Sequence, residues 1–226
     1  MKKLSPLLKD TWNFYRQNIY AICFLVFPFV IPVNILYAVL QSFIVDTQQV
    51  YLIAVMFSLL FYPVYHAVLI LYVSSVLSGD YLSPVQYYKT SLKFWRPLMV
   101  FYVISVIALA CGLVLFVFPA LIVAARLAFA EFYCVLYSKN PLEAFSNSWK
   151  QTKECQWLLL SGVVVISLFV IIPVHLLERS ITALYPWSWI HTFIFGVVDD
   201  ILYILPIIFC FRIFTAHQEN HTKENT

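Results

Sequence analysis

Apart from His66 and His175, four ionisable residues lie inside apolar runs: Arg126 and Glu131 in LIVAARLAFAEFYCVLY, and Asp199 and Asp200 in FIFGVVDDILYIL. A charge at the middle of a bilayer costs from about 2.5 kcal/mol upward, so such groups must face the interior of a helix bundle, a water cavity or one another. Two chemistries follow. The four residues form a polar pathway for an ion, a proton or an anionic head group, or they form a structural charge pair that fixes helix packing. Depth favours a particular pair. Counted at 1.5 Å per residue from Pro119 and Ile190, Arg126 lies about 10 Å deep and Asp199 and Asp200 about 14 Å, whereas Glu131 sits about 7 Å deeper than Arg126 and is turned off its face. The expected contact is therefore Arg126 with Asp199 or Asp200.

Other reactive residue types lack the spacing that chemistry needs. His66 falls in one half of its apolar run, while His175, His191 and Asp199 fall toward the opposite side, and no H-E-x-x-H or similar ligand pair exists. Cys23, Cys111, Cys134, Cys155 and Cys210 stand far apart without a C-x-x-C pair, as small apolar fillers do. Neither Ser nor Cys has an identifiable His partner. No metal, cofactor or catalytic residue is expected, and the chain reads as a non-enzyme.

The elements that position the four charges are set by hydropathy. Of 226 residues, 62% are hydrophobic and 11% charged, against about 25% charged in soluble domains, so most of the surface must face lipid. Crossing the hydrocarbon takes about 20 apolar residues. Spans are expected at about 19–45, 50–78, 98–118, 120–138, 157–177 and 190–214, in one membrane domain of residues 1–216 with a polar cytoplasmic tail at 217–226. The apolar stretch 98–138 would be about 60 Å long as one helix, twice the membrane, so it must fold back, with Pro119 as the expected break. Pro28, Pro32 and Asn34 predict a kink in the first span. Tyr185-Pro186-Trp187-Ser188-Trp189 has the composition of an interfacial aromatic belt.

Three amphipathic segments precede pairs of spans, each opened by a capping residue and proline: Ser5-Pro6, Ser83-Pro84 and Asn140-Pro141. Their expected apolar faces are Leu4, Leu8, Trp12 and Tyr15; Val85, Tyr88, Leu92 and Trp95; and Leu142, Phe145 and Trp149. Gln86 stands at the capping-box position of the second. The basic residues Lys2, Lys3, Lys9, Arg16, Lys89, Lys93, Arg96, Lys139, Lys150, Lys153, Arg212 and Lys223 all fall on one side of a six-span chain, and only Arg179 falls on the other. The positive-inside rule then puts both termini and all three amphipathic helices in the cytoplasm. Lys89, Lys93 and Arg96 are candidate contacts for anionic lipid, and the charges are too few and too evenly divided for a nucleic-acid surface.

The segment TWNFYRQN before the first span, the G-x-x-x-x-x-x-P hairpin from Gly112 to Pro119, and PLEAFSNSWKQT from Pro141 to Thr152 carry a family likeness. Together they resemble the YciC-like family of multi-pass bacterial inner-membrane proteins and, more distantly, the membrane domain attached to some glycerophosphodiester phosphodiesterases. The chain departs from that pattern at Ala120, where relatives often carry glycine, and at Arg126, where an apolar residue is the expectation. The resemblance implies the bacterial inner membrane and no defined reaction. The expectation is an all-α, six-span protein with three cytoplasmic interfacial helices and a non-catalytic role, membrane-organising or binding a partner or anionic lipid. The alternative is a small transporter or lipid-handling protein using the intramembrane charges.

Overall fold

A computed structural model of the chain describes residues 4–43, 47–184 and 189–224. Every regular element among them is helical: α1 Leu4–Phe43, α2 Thr47–Ser78, α3 Pro84–Lys93, α4 Trp95–Leu115, α5 Val117–Leu127, α6 Ala130–Leu136, α7 Pro141–Gln151, α8 Gln156–Ile166, a π-helical turn Ser167–Ile171, α9 Ile172–Leu184, α10 Trp189–Leu202 and α11 Ile204–Glu224. Six stretches are long and apolar enough to cross a membrane: Leu4–Gln41, Gln48–Ser78, Trp95–Leu115, Val117–Leu136, Gln156–Ala183 and Trp189–Glu219. The chain is an all-α multi-pass membrane protein. Large apolar side chains such as Tyr20, Met56, Val114 and Phe169 point outward, as a lipid environment allows. The aromatic segment expected at 185–188 lies outside the described residues.

The first amphipathic segment is not separate from the first span. Residues 4–43 form one 40-residue helix that includes Pro28 and Pro32, about 60 Å long and so twice the hydrocarbon thickness. Asn18, the expected boundary, is satisfied inside the bundle: its Nδ2 donates to Phe14 O (2.9 Å) and its Oδ1 accepts from Tyr72 Oη (3.0 Å). The buried face is Leu7, Thr11, Phe14 and Tyr15, with Trp12 exposed.

Two further amphipathic faces are rotated relative to the hydrophobic pattern, although Tyr88 and Phe145 of those faces still pack against the core. In α3, Tyr87 and Ser91 are buried while Val85 and Leu92 face outward. In α7, Ala144 and Ser148 are buried while Leu142 and Trp149 are exposed. Small and hydroxyl side chains permit close approach to a neighbouring helix, and lipid accepts the large apolar ones. The capping box of α3 forms as expected, with Gln86 Oε1 accepting from Ser83 N at 2.8 Å. Arg96, however, belongs to the first turn of α4, because α3 ends at Lys93.

The α4–α5 hairpin turns on the single residue Phe116, whose backbone is extended, and not at Pro119. Proline is tolerated in the first turn of a helix, where its missing N–H is not needed, and Pro119 is the third residue of α5. Gly112 makes the tight turn possible. A Cβ there would come within 2.8 Å of Ala120 Cα. The fourth span is then interrupted at Ala128–Phe129, where α7 is stitched into it: Ser148 Oγ donates to Arg126 O (2.6 Å) and accepts from Phe129 N (3.1 Å).

The fifth span is longer than its hydropathy implied and carries Glu178 and Arg179 within α9. Its π-helical turn ends two residues before Pro173, which has no N–H for the Phe169 carbonyl. The sixth span breaks at Tyr203, three residues before Pro206, for the same reason. Residues 217–224 continue α11 rather than fraying, and Gln218 Nε2 donates to Tyr133 Oη (2.8 Å) and Gln151 Oε1 (3.2 Å).

Candidate functional site

The four intramembrane charges do not form one cluster. Arg126 pairs with neither aspartate. Its Nη1 donates to Trp149 O (3.0 Å), and its guanidinium lies 5.7 Å from the centre of the Trp149 ring. The depth arithmetic fails because α7 tucks into the break at 128–129 and brings a backbone carbonyl to the arginine. The buried stripe Ala144, Ser148 and Thr152, spaced i, i+4, i+8, was the available signal for that docking.

Glu131, the poorer partner on sequence grounds, faces His66 in the bundle interior instead. His66 Nδ1 lies 2.9 Å from Glu131 Oε2, with the two side chains 4% and 21% exposed. His66 is enclosed by aromatic rings: Tyr62 at 4.0 Å, Tyr65 at 4.8 Å and Tyr102 at 6.0 Å between centroids. The enclosure fixes the imidazole, and the carboxylate fixes which ring nitrogen it faces.

Asp200 is held from the first span. Asn34 Nδ2 donates to Asp200 Oδ2 (2.7 Å) and to Val30 O (3.0 Å). This bond belongs to a polar seam between antiparallel α1 and α10, which also includes Thr192 Oγ1 donating to Gln41 Oε1 (3.0 Å) and Tyr15 Oη donating to Ile201 O (3.2 Å). Gly196 lets Asn34 into the seam, since a Cβ there would meet Asn34 Oδ1 at 2.0 Å.

Glu131 and Asp200 nevertheless share one cavity of about 380 Å³. Tyr62, Tyr65, His66, Tyr203, Ile204, Pro206 and Ile207 complete its lining. Two carboxylates, an imidazole and three phenols thus converge at the break in the sixth span, and among the described residues no Lys or Arg lines the space. Non-helical backbone at membrane depth is tolerated where it borders such a cavity. Chemically, the site suits a cation: carboxylates supply charge and tyrosine faces supply quadrupole attraction.

Asp199, one residue away, turns to the other side of α10. Its Oδ2 lies 3.4 Å from His175 Nδ1, and the same nitrogen lies 3.5 Å from Glu178 Oε2. The lipid-contact candidates Lys89, Lys93 and Arg96 are all exposed, beside the outward Val85 and Leu92. The chain matches no protein-family model, no curated protein and no solved structure.

Proposed function

We propose that the protein binds a small cation within the membrane, between Glu131 and Asp200, as the core of a small transporter or lipid-handling activity without covalent chemistry. The observation that carries this reading is the cavity itself: carboxylates from two different spans open into one space whose lining, among the described residues, holds no Lys or Arg and only the imidazole of His66 as a basic group. A purely structural ion pair would need only a closed, satisfied cluster. Here His66 matches Glu131 and Asn34 matches Asp200, while both carboxylates still border the cavity. In this reading Glu131 and Asp200 carry the polar site, and Arg126 and Asp199 lie outside it.

A second reading concerns the surface, and the outward apolar faces favour it. Val85 and Leu92 of α3, and Leu142 and Trp149 of α7, are exposed large side chains next to exposed cations. Contact with anionic lipid through Lys89, Lys93 and Arg96 fits this arrangement. The charge asymmetry of the loops argues for cytoplasmic termini and the bacterial inner membrane, in keeping with the YciC-like resemblance of the sequence.

Cation binding is tested by thermal unfolding of the full-length protein in mild detergent at constant ionic strength. Sodium, potassium, ammonium and tetraethylammonium are compared with a bulky N-methylglucamine control. A ligand that binds only the folded state raises stability by RT ln(1 + [L]/Kd). At least one of the four should raise the midpoint of the wild type and leave a Glu131→Gln/Asp200→Asn variant unmoved. No cation-specific shift, or a shift that survives in the double variant, refutes the proposal.

A further inference from the structure

His175, Glu178 and Asp199 place one ligand atom each within 4.8 Å of one another. His175 and Glu178 stand at i, i+3 on α9, and Asp199 reaches them from α10. The distances from His175 Nδ1, 3.4 Å to Asp199 and 3.5 Å to Glu178, are longer than the 2.7–3.2 Å of ordinary N–H···O hydrogen bonds. They correspond instead to the edge of a coordination tetrahedron. With metal–nitrogen and metal–oxygen bonds of about 2.0–2.1 Å, two ligands at a tetrahedral angle lie about 3.3–3.4 Å apart.

Three more observations bear on the site. Asp199 Oδ1 is buried and has no hydrogen-bond partner among the described residues, so the carboxylate has unused ligand capacity on its inner side. Tyr203 Oη lies 3.5 Å from His175 Nε2, on the side of the imidazole away from the two carboxylates. The three side chains remain 39%, 34% and 18% exposed, which leaves an entry path and a fourth position for water.

We infer that His175, Glu178 and Asp199 form a binding site for a divalent transition-metal ion of the zinc class. One imidazole and two carboxylates with an open fourth position suit such an ion better than calcium or magnesium, which prefer all-oxygen sets of six or more ligands. The ligand set is distinct from Glu131 and Asp200, and Tyr203, which lines the cavity, is the residue that stands between the two places.

Cobalt(II) is the probe, titrated into untagged full-length protein that has been stripped with chelator and held in detergent. One equivalent should bind with the intense visible bands of a four-coordinate ion, and zinc should displace it. His175→Ala and Asp199→Asn should each weaken binding by at least about tenfold, the lower end of what even outer-shell changes cost. His191→Ala and Glu131→Gln/Asp200→Asn should leave it unchanged. Weak six-coordinate spectra or less than stoichiometric uptake by the wild type would overturn the inference without any variant. So would binding lost in His191→Ala and kept in His175→Ala.

Discussion

Replacing Gly196 with alanine should disturb the cavity without touching a residue that lines it. The new Cβ would sit 2.0 Å from Asn34 Oδ1, against an ordinary contact floor of 3.4 Å, so the amide must retreat by about 1.4 Å. It cannot do so freely, because its Nδ2 holds both Val30 O and Asp200 Oδ2. Losing the bond to Asp200 costs about 1.5–3 kcal/mol for a charged acceptor. Alanine is more helix-favouring than glycine by about 1 kcal/mol. The net effect is then a loss of about 0.5–2 kcal/mol. The sign should reverse when the obstacle is removed: in an Asn34→Ala background, Gly196→Ala has nothing to collide with and should be neutral or stabilising by up to about 1 kcal/mol. Reversible unfolding in mixed micelles, run on all four members of the cycle, reads the difference. Equal destabilisation in both backgrounds would show that Asn34 does not transmit the change, and the seam argument would fall.

Two other outcomes are expected. His66→Phe should cost about 3–5 kcal/mol by leaving Glu131 without its partner in the bundle, and adding Glu131→Gln should recover most of it; a loss that the second change does not reduce would mean that His66 matters only for packing. Changing Lys89, Lys93 and Arg96 together to Gln should reduce the anionic lipid retained by the purified protein in native mass spectrometry, at about 1 kcal/mol per charge, with zwitterionic lipid unaffected. Retention equal to that of the parent would leave only the apolar faces of α3 and α7 as membrane contacts.

Hydropathy alone makes the six spans, the fold-back between α4 and α5 and the proline-opened helices legible, because those features depend on local apolar length and on the missing proline donor. Pairing between spans is another matter. A sequence gives depth along each helix but not rotation or neighbour, and Arg126 was matched to the aspartates by depth alone. The same arithmetic puts Glu131 in the half of the membrane that holds His66, so that pair was within reach. It was hidden because a histidine carries no charge signal in a hydropathy reading. The helix faces misled for a related reason: a large apolar stripe identifies the core of a soluble protein, whereas here Thr11, Ser91 and Ser148 mark the inside. The sequence already puts His175 and Asp199 toward the same side of the membrane, and what it lacks is the rotation that turns them together and the extension of α9 that keeps Glu178 helical beside them.

The turn at Phe116 has a consequence for biogenesis. Every residue from Gly112 to Val123 is uncharged, and Val114, Leu115 and Phe116 are among the most exposed side chains in the molecule. No hydrophilic segment therefore has to be carried across the hydrocarbon when α4 and α5 enter the bilayer. The pair can partition as one apolar wedge, without the translocation step that a polar loop imposes on most helical hairpins. A single charged substitution at Val114 or Phe116 would restore that step, and its effect should register in the rate of membrane insertion before it registers in the stability of the finished protein.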